Sequence, residues 1–423
     1  MSAKSHKLAY FLSGCLAGSI VTGTLFFVWL QIHPPPSPTA SADRSGPTQP
    51  EPEEKPEEES KCPGLAAAAP GWLPASGDAA RVKKLHVPRS LRKRVDFWKS
   101  VWGKRANHVH LLVDERRPWV IHKTIDCRRL FKSGAPTAKK ERQCGYMIAR
   151  AKKKVIRQLR RQRRRPRRAL LKAFGRNRRL ARTAYKNIIK VEGRKESLEK
   201  ALERGEPFMA DVEKAFAGVG LPASLARMTI IESLAHPGVE SSRGAVGAYQ
   251  FVADTARYYL MIRDGVDERL DPLRSGWAAA RYLKELHKQF RNWPLALTAY
   301  NTGPTRLKRL IKRRRTRDVG RLADRGDYGS FGFDGQNYFA QIAAVIELTA
   351  KLNGRPNNHN TRVYRLPRPM PLTEVAECLE APIGKLIAAN PALTESIALQ
   401  GSPVPEGYLM AVPEDGAETA SNP

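Results

Sequence analysis

The sequence predicts a mainly α-helical protein of several domains, and three observations carry this prediction. An Asp-Pro pair at 271–272 is a good helix start, and apolar residues recur at helical spacing after it. A second helical pattern runs over 339–349. The stretch 142–190 has 20 Lys and Arg, no Asp or Glu, and an apolar stripe that Pro166 divides into two helices. At 423 residues, 41% of them hydrophobic, the chain can build two or three domains.

The N-terminal segment predicts a membrane anchor. Residues 8–32 form an uncharged, largely apolar stretch of transmembrane length. Lys4 and Lys7 lie before it, and no basic residue follows until Arg44. The positive-inside rule therefore predicts a single inner-membrane span, with the short end in the cytoplasm and the body facing the periplasm.

Two alternatives to the span remain open. Residues 12–15, LSGC, resemble a lipoprotein cleavage box with Cys15 as the lipidated residue, and a cleaved signal peptide is the third possibility. Residues 33–80 are rich in Pro, Ser, Glu and Ala and include EPEEKPEEE, so they predict an extended linker without a core.

A folded region is predicted to begin near residue 88. Trp98 and Trp102 recur at helical spacing and are predicted to lie in a core, and 109–113 and 119–121 are predicted to be short strands. Four cysteines follow Cys15 and could pair in an oxidising compartment. Cys127 and Cys144 are the closest in sequence, although spacing does not establish the connectivity.

One carboxylate has the surroundings of a general acid. Glu232 lies among apolar residues at the end of a short predicted helix that begins after Pro222 and stops at 236–238. A partly buried carboxyl keeps its proton above the pH at which a free glutamate loses it, as an acid catalyst near neutrality must. The alternative is a solvated glutamate at a helix end.

The residues after Glu232 carry a family resemblance. The stretch 241–250, SSRGAVGAYQ, keeps a serine, two glycines and a glutamine in order, 299–303 reads AYNTG, and Tyr338 follows. This pattern resembles the catalytic signature of membrane-bound lytic murein transglycosylases that are similar to type D. The catalytic domain of these enzymes is an SLT domain of the lysozyme-like kind. These enzymes cut the glycan strands of peptidoglycan. The resemblance implies a mostly helical, lysozyme-like catalytic domain.

The resemblance also implies roles for individual residues. Glu232 matches the catalytic acid, the serine of the family lies near that acid, and the glutamine lines the sugar groove. The substrate-binding residues implied in this way are Ser241, Gly247, Gln250, Tyr300, Asn301 and Tyr338. Without the resemblance, the two tyrosines would be core residues, and 301–303 would be a turn that stops a helix.

The implied reaction uses one carboxylate and no water. Other acids lie between Glu232 and Tyr338, but none matches a second catalytic position of the family. The acetamido group of N-acetylmuramic acid (MurNAc) would attack its own anomeric carbon while Glu232 protonates the leaving N-acetylglucosamine (GlcNAc) oxygen. The product is a 1,6-anhydro end, and neither a metal nor a cofactor is required; no His/Cys cluster has ligand spacing. The alternatives are a hydrolytic muramidase on the same fold and an inactive binding scaffold.

The C-terminal segment resembles a divergent lysin-motif module. Residues 363–366 are predicted to be a strand, 372–379 and 386–391 helices, and 407–413 a closing strand, which gives β-α-α-β order. Prolines 367, 369 and 371 replace the usual Gly-Asp-Thr entry. Two functions remain open for it, namely glycan binding and a structural cap.

The predicted partners follow from charge and location. The formal net charge of +33 predicts anionic partners. Besides glycan strands and the membrane, these are anionic wall polymers or lipopolysaccharide, whereas nucleic acid is not expected outside the cytoplasm. A solvated basic face is the alternative for the basic run. The predicted domains are an anchor (1–32), a linker (33–80), an α+β region (81–145), a basic helical region (146–207), the SLT domain (208–354) and the lysin-motif-like module (360–414).

Overall fold

The computed structural model describes residues 64–68, 85–131, 137–324, 331–352 and 361–413. Every described residue lies in one compact unit, which spans 59–423. The prediction of a mainly helical protein is confirmed for this part of the chain. The predicted span at 8–32, Cys15 and most of the linker lie outside the described residues. Within them, no helix combines the length and hydropathy that crossing a bilayer requires.

The helices of the described residues are numbered in chain order. They are α1 (Arg89–Gly103), α2 (Arg128–Phe131), α3 (Thr137–Arg161), α4 (Arg168–Ala173), α5 (Arg178–Thr183), α6 (Lys195–Gly218), α7 (Thr229–Ser233), α8 (Ala253–Ala256), α9 (Pro272–Phe290), α10 (Trp293–Thr302), α11 (Pro304–Arg314), α12 (Val319–Asp324), α13 (Phe333–Leu348), α14 (Leu372–Cys378), α15 (Ile383–Ala389) and α16 (Glu395–Ala398). Short 3-10 helices span Ala184–Lys186, Ala223–Met228 and Glu268–Leu270.

The strands of the described residues form four small antiparallel sheets. They are β1 (Ala66–Ala67), β2 (Val109–Asp114), β3 (Ile121–Asp126), β4 (Ile188–Glu192), β5 (Ala245–Val246), β6 (Phe251–Val252), β7 (Ile262–Arg263), β8 (Val266–Asp267), β9 (Thr361–Arg365) and β10 (Leu409–Pro413). The sheet orders are β3-β2-β4 and β1-β9-β10, with β5-β6 and β7-β8 as two-stranded pairs.

The region before the central domain combines α1 with the β3-β2-β4 sheet. Trp98 and Trp102 are buried as predicted. The strand predicted at 119–121 is wrong at its start, because β3 begins at Ile121. Val120 N instead donates to the carbonyl of Arg117, which closes a turn before the strand.

The basic run forms helices over a second core. On α3, Cys144, Ile148, Val155 and Leu159 are buried, as the predicted apolar stripe requires. A disulfide joins Cys127 to Cys144 and ties the end of the β2-β3 hairpin to this helix. The run then returns to the first sheet, because β4 pairs with β2.

Two of the predicted domain boundaries lie inside helices. The boundary at 145/146 lies within α3, and the boundary at 207/208 lies within α6, which contains Pro207 in its middle. The basic run therefore supplies β4 to the sheet of the α+β region. Helix α6 continues from that region into the central helical domain.

The central domain packs α6, α9, α10 and α13 around one apolar core. The predicted start of α9 is confirmed, since the carboxylate of Asp271 accepts the backbone N–H groups of Leu273 and Arg274. The predicted closing helix at 339–349 corresponds to α13, and the 313–315 arginine run lies at the C-terminal end of α11.

The C-terminal segment contains a strand, three helices and a closing strand around its own small core. It packs against the central domain through Arg274, which is 2% exposed. The guanidinium of Arg274 pairs with Glu268, donates to the carbonyl of Leu409 and lies over the ring of Tyr408. A strand from the start of the described residues, β1, extends the sheet of this segment.

Candidate active site

Glu232 lies near the end of a short helix, as predicted. The 3-10 helix Ala223–Met228 leads directly into α7, which ends at Ser233. Leu234 and Ala235 follow in the left-handed conformation, with φ of 56° and 57°. Two successive non-glycine residues at positive φ are costly for the backbone, so the packing around them must hold this helix end in place.

The carboxyl group of Glu232 is partly buried and bonded to a single tyrosine hydroxyl. The Tyr338 hydroxyl, on α13, donates to Glu232 Oε1, and Tyr338 itself is 2% exposed. Burial raises the pKa of Glu232 to about 7, although the hydrogen bond from Tyr338 lowers it. At neutral pH this carboxyl is therefore divided between its protonated and ionised forms.

Tyr300 and Tyr249 extend the group of tyrosines beside Glu232. The rings of Tyr300 and Tyr338 are parallel within 8°, with centroids 6.5 Å apart. The Tyr300 hydroxyl donates to the carbonyl of Tyr249 at 3.0 Å, and the Tyr249 hydroxyl donates to the carbonyl of Ala226 at 2.9 Å. Burial raises the pKa of both Tyr300 and Tyr338, as does the nearby carboxylate of Glu232. Both phenols remain protonated donors throughout the neutral range.

The glycine-rich turn after the acid is held by its own polar side chains. Ser241 Oγ accepts the backbone N–H of Ala245 at 3.0 Å and that of Arg243 at 3.3 Å. Gln250 Nε2 donates to the carbonyls of Val239 at 3.1 Å and Gly247 at 3.0 Å. In this structure neither side chain is hydrogen-bonded to Glu232. Their contacts shape the turn, so their predicted contacts with sugar remain predictions.

Gly247 occupies a position that no other residue fits. Its φ is 84°, and a Cβ at this position would lie 1.8 Å from the carbonyl oxygen of Arg269. The two main chains meet here because Arg269 also binds the turn: its Nη1 donates to the carbonyls of Gly244 and Phe251, each at 3.3 Å. Gly247 thus serves the structure of the turn through close backbone approach.

Two hydroxyl groups on α7 tie the acid-bearing helix to the turn. Thr229 Oγ1 and Ser233 Oγ both donate to the carbonyl of Ala248, at 2.8 Å and 2.9 Å. No motif in the sequence marks Thr229, Ser233 or Arg269. Ser233 is next to Glu232 in the sequence, but a hydroxyl that binds a distant carbonyl leaves no spacing pattern.

Asn301 is more exposed than Tyr300 and Tyr338. It is exposed in the last turn of α10, which ends at Thr302, and Gly303 follows with a φ of 82°. The helix therefore ends within 301–303, and the predicted contact of Asn301 with sugar remains a prediction. Gly335 lets the start of α13 approach this end, since a Cβ there would lie 2.5 Å from Thr302 Cγ2. The structure brings Glu232, Tyr300 and Tyr338 together but leaves Asn301 on the surface.

Helix α1 braces α13 at the residue before Tyr338. Asn337 is fully buried, and its Oδ1 accepts from Arg94 Nη1 and from Trp98 Nε1, both at 2.9 Å. Asn337 Nδ2 donates to the carbonyl of Phe333 at 2.7 Å. One buried amide thus joins a helix near the start of the described residues to the helix that carries Tyr338.

We expect Asn337→Ala to lower the free energy of unfolding by about 3 kcal/mol, because it leaves a buried guanidinium and a buried indole N–H without their acceptor. The measurement is urea-induced unfolding followed by circular dichroism. Asn301→Ala is the matched control: the same change on an exposed helix should shift stability by at most about 0.5 kcal/mol. Equal effects of the two substitutions would contradict the brace.

Three of the described side chains lie close enough to one another to be compared with a metal site. His110, Cys127 and Cys144 are buried, and their ligand atoms lie within 4.8 Å of one another. Both sulfur atoms are joined in the disulfide, so this group lacks the thiolates that a zinc site would use. Burial lowers the pKa of His110 to about 4, which keeps its imidazole neutral.

Comparison with known proteins locates the resemblance in the central domain. The family described as "Transglycosylase SLT domain" matches residues 216–321. Membrane-bound lytic murein transglycosylase D of Escherichia coli (strain K12) is 32% identical over 116 residues, which is 27% of this chain and 26% of that protein. The chain thus spans about a quarter of the length of this curated relative.

Two further proteins match shorter or more distant stretches. A protein of Alteromonas sp. (strain M-1) named for tributyltin chloride resistance is 33% identical over 110 residues, covering 26% of this chain and 53% of that one. The solved structure of an inactive mutant of the lytic transglycosylase Slt from Pseudomonas aeruginosa covers 37% of this chain and 24% of its own, with 22% identity and a TM-score of 0.27.

The family match and the described site coincide in part. The matched residues contain Glu232, the glycine-rich turn and the AYNTG segment, whereas Tyr338 and the α1 brace lie outside them. The similarity to the transglycosylase SLT domain thus covers residues 216–321 of this chain.

Proposed function

We propose that this protein is a peptidoglycan lytic transglycosylase, which cleaves the β-1,4 bond between MurNAc and GlcNAc and leaves 1,6-anhydro-MurNAc ends. One observation carries the proposal. Glu232 is a partly buried carboxyl with a pKa of about 7, and a buried tyrosine hydroxyl orients it. A group with this pKa can both donate and accept a proton near neutral pH, as a single-residue mechanism requires.

The proposed reaction has two proton transfers, and both use Glu232. In the first, the MurNAc acetamido oxygen bonds to the anomeric carbon, the glycosidic bond breaks, and protonated Glu232 gives its proton to the departing GlcNAc oxygen. In the second, ionised Glu232 takes the proton of the C6 hydroxyl of the same MurNAc. That oxygen then bonds to the anomeric carbon and displaces the acetamido oxygen. Glu232 ends protonated, and no water is consumed.

The surroundings of four acids that follow Glu232 favour this route over hydrolysis. A glycosidase that uses water or a covalent intermediate places a second carboxylate across the bond. Of these four, Glu240, Asp254 and Asp264 are exposed, and the side chain of Asp254 is 99% exposed. Asp271 caps α9 and pairs with Arg274. Each of these carboxylates is therefore in solvent or already occupied.

Digestion of purified sacculi by the full-length protein tests the proposal. We expect the released muropeptides to carry 1,6-anhydro-MurNAc ends, identified by mass spectrometry after separation. Reducing ends in their place would assign the protein to the hydrolytic muramidases. Binding to sacculi without any shortening of glycan strands would assign it to the inactive scaffolds.

The remaining sequence predictions accompany this proposal. We propose a membrane-anchored enzyme that faces the periplasm and acts in cell-wall remodelling or turnover. The name of the E. coli relative, which calls that protein membrane-bound, supports the anchor. For the C-terminal segment we propose a lysin-motif-like module that binds glycan. Its two outer strands pair antiparallel over the full length of β9, and its helices lie between them in the chain.

A further inference from the structure

One side of helix α3 has no role in the proposed catalysis. This helix is about 37 Å long. Its apolar side packs into the second core, and its opposite side is exposed. We call this exposed side the α3 basic face, because seven cations lie on it: Lys139, Arg142, Arg150, Lys153, Lys154, Arg157 and Arg161.

No carboxylate among the described residues forms an ion pair with any cation of the α3 basic face. Like charges three or four residues apart on a helix repel one another, so this arrangement disfavours the helix that carries it. The buried apolar side and the disulfide at Cys144 hold α3 in place against this repulsion. These cations are therefore available to bind an anionic partner outside the fold.

Aromatic and apolar side chains are exposed among these cations. Tyr146 is 71% exposed and Met147 is 41% exposed, and together with Lys139 and Arg142 they line a shallow depression. Tyr146 lies one turn from Arg142 on one side and one turn from Arg150 on the other. Water is a poor environment for such side chains, whereas a boundary between polar and apolar surroundings suits them.

The C-terminal end of α3 adds a second cationic cluster. Arg163, Arg164 and Arg182 line a shallow cleft with Tyr185, and the guanidinium of Arg160 lies 5.5 Å from the centre of the Tyr185 ring. Arginine side chains that converge in this way suit phosphate groups, which they can bind through two parallel hydrogen bonds. Phosphate-bearing partners thus fit both ends of the helix.

We propose that the α3 basic face docks on the surface of an anionic phospholipid bilayer. The cations would bind lipid phosphates, while Tyr146 and Met147 would enter the headgroup region, where aromatic and apolar side chains are favoured. A soluble polyanion, such as a wall polymer, accounts for the cations but leaves these exposed side chains without a partner. Docking of this kind is independent of the proposed reaction.

The test uses the full-length protein reconstituted in lipid nanodiscs, so that any N-terminal anchor contributes equally to every sample. One set contains phosphatidylcholine alone, and the other contains phosphatidylcholine with phosphatidylglycerol. The readout is the rate of acetylation of Lys139 and Lys154, measured by mass spectrometry, with Lys200 and Lys284 as exposed reference lysines on α6 and α9. We expect about ten-fold slower acetylation of Lys139 and Lys154 in the anionic discs, reversed by high salt.

Two variants make the test specific, and both change exposed side chains only. Replacing Arg150, Lys153 and Arg157 by glutamine should abolish the slowing, and Tyr146→Ala should reduce it. Equal acetylation in neutral and anionic discs would overturn the proposal. Slowing by soluble polyphosphate but not by anionic discs, or an unchanged response of Tyr146→Ala, would also overturn it, since a soluble polyanion would then be the partner. A matching thermal melt confirms that each variant is folded.

Discussion

Replacing Glu232 by glutamine is expected to lower the release of anhydro-muropeptides by about 10³-fold or more. Glutamine has nearly the same size, but it neither gives nor takes a proton, and both proposed transfers depend on this side chain. The measurement is the initial rate of anhydro-muropeptide release from sacculi, compared between the wild-type protein and Glu232→Gln at equal concentration.

Glu240→Gln is the matched control for this prediction. It makes the same chemical change eight residues later, on a side chain that is exposed. We expect its rate to remain within about two-fold of the wild-type rate, because exposed side chains away from the reacting bond contribute little. Comparable losses in the two variants, or an unchanged rate in Glu232→Gln, would reject Glu232 as the acid.

The second large effect is expected from Tyr338→Phe, which removes the hydroxyl that donates to Glu232. We expect the rate at pH 6 to fall by at least about ten-fold, because the carboxyl loses the group that orients it. The hydrogen bond from Tyr338 lowers the pKa of Glu232, so its removal should raise that pKa above its present value of about 7. Since the first step needs protonated Glu232, the kcat/KM of the wild-type protein should fall as pH rises through about 7. The kcat/KM of Tyr338→Phe should begin to fall at a higher pH than that of the wild type.

Tyr300→Phe separates this effect from a general loss of packing. The Tyr300 hydroxyl donates to the carbonyl of Tyr249, whereas the Tyr338 hydroxyl donates to Glu232. We therefore expect the descending limb of the pH profile to keep its wild-type position in Tyr300→Phe. A limb that moves to lower pH in Tyr338→Phe, or that moves equally in both variants, would show that the hydroxyl of Tyr338 does not set the pKa of Glu232.

Local chemistry made some of this structure predictable from the sequence. The start of α9 follows from Asp271-Pro272, because the carboxylate caps the helix and the proline suits its first turn. The position of Glu232 at a helix end follows from the apolar spacing before it and the His-Pro-Gly stop after it. The apolar stripe of α3 follows from the helical period.

Contacts between distant segments were not predictable in the same way. The Asn337 brace joins residues more than 200 positions apart, and no period or motif indicates that Arg94 and Trp98 contact Asn337. The pairing of β4 with β2 closes a sheet only after four intervening α-helices, α2 to α5, so the basic run appeared to be a separate region. These features depend on which surfaces meet in three dimensions. Short motifs point to Glu232 and Tyr338, whereas the roles of Thr229 and Ser233 in holding the acid-bearing helix are found only in the fold.

The central claim is tested most directly by the origin of the oxygen atom that is bonded to the anomeric carbon after cleavage. Wild-type protein would digest sacculi in isotope-labelled water, and the MurNAc ends would be examined by mass spectrometry as they are released. If Glu232 alone completes the reaction, the ends are 1,6-anhydro sugars, one water lighter than reducing ends, and carry no label. Labelled reducing ends formed at the initial rate would contradict the account, since water would then have attacked the anomeric carbon.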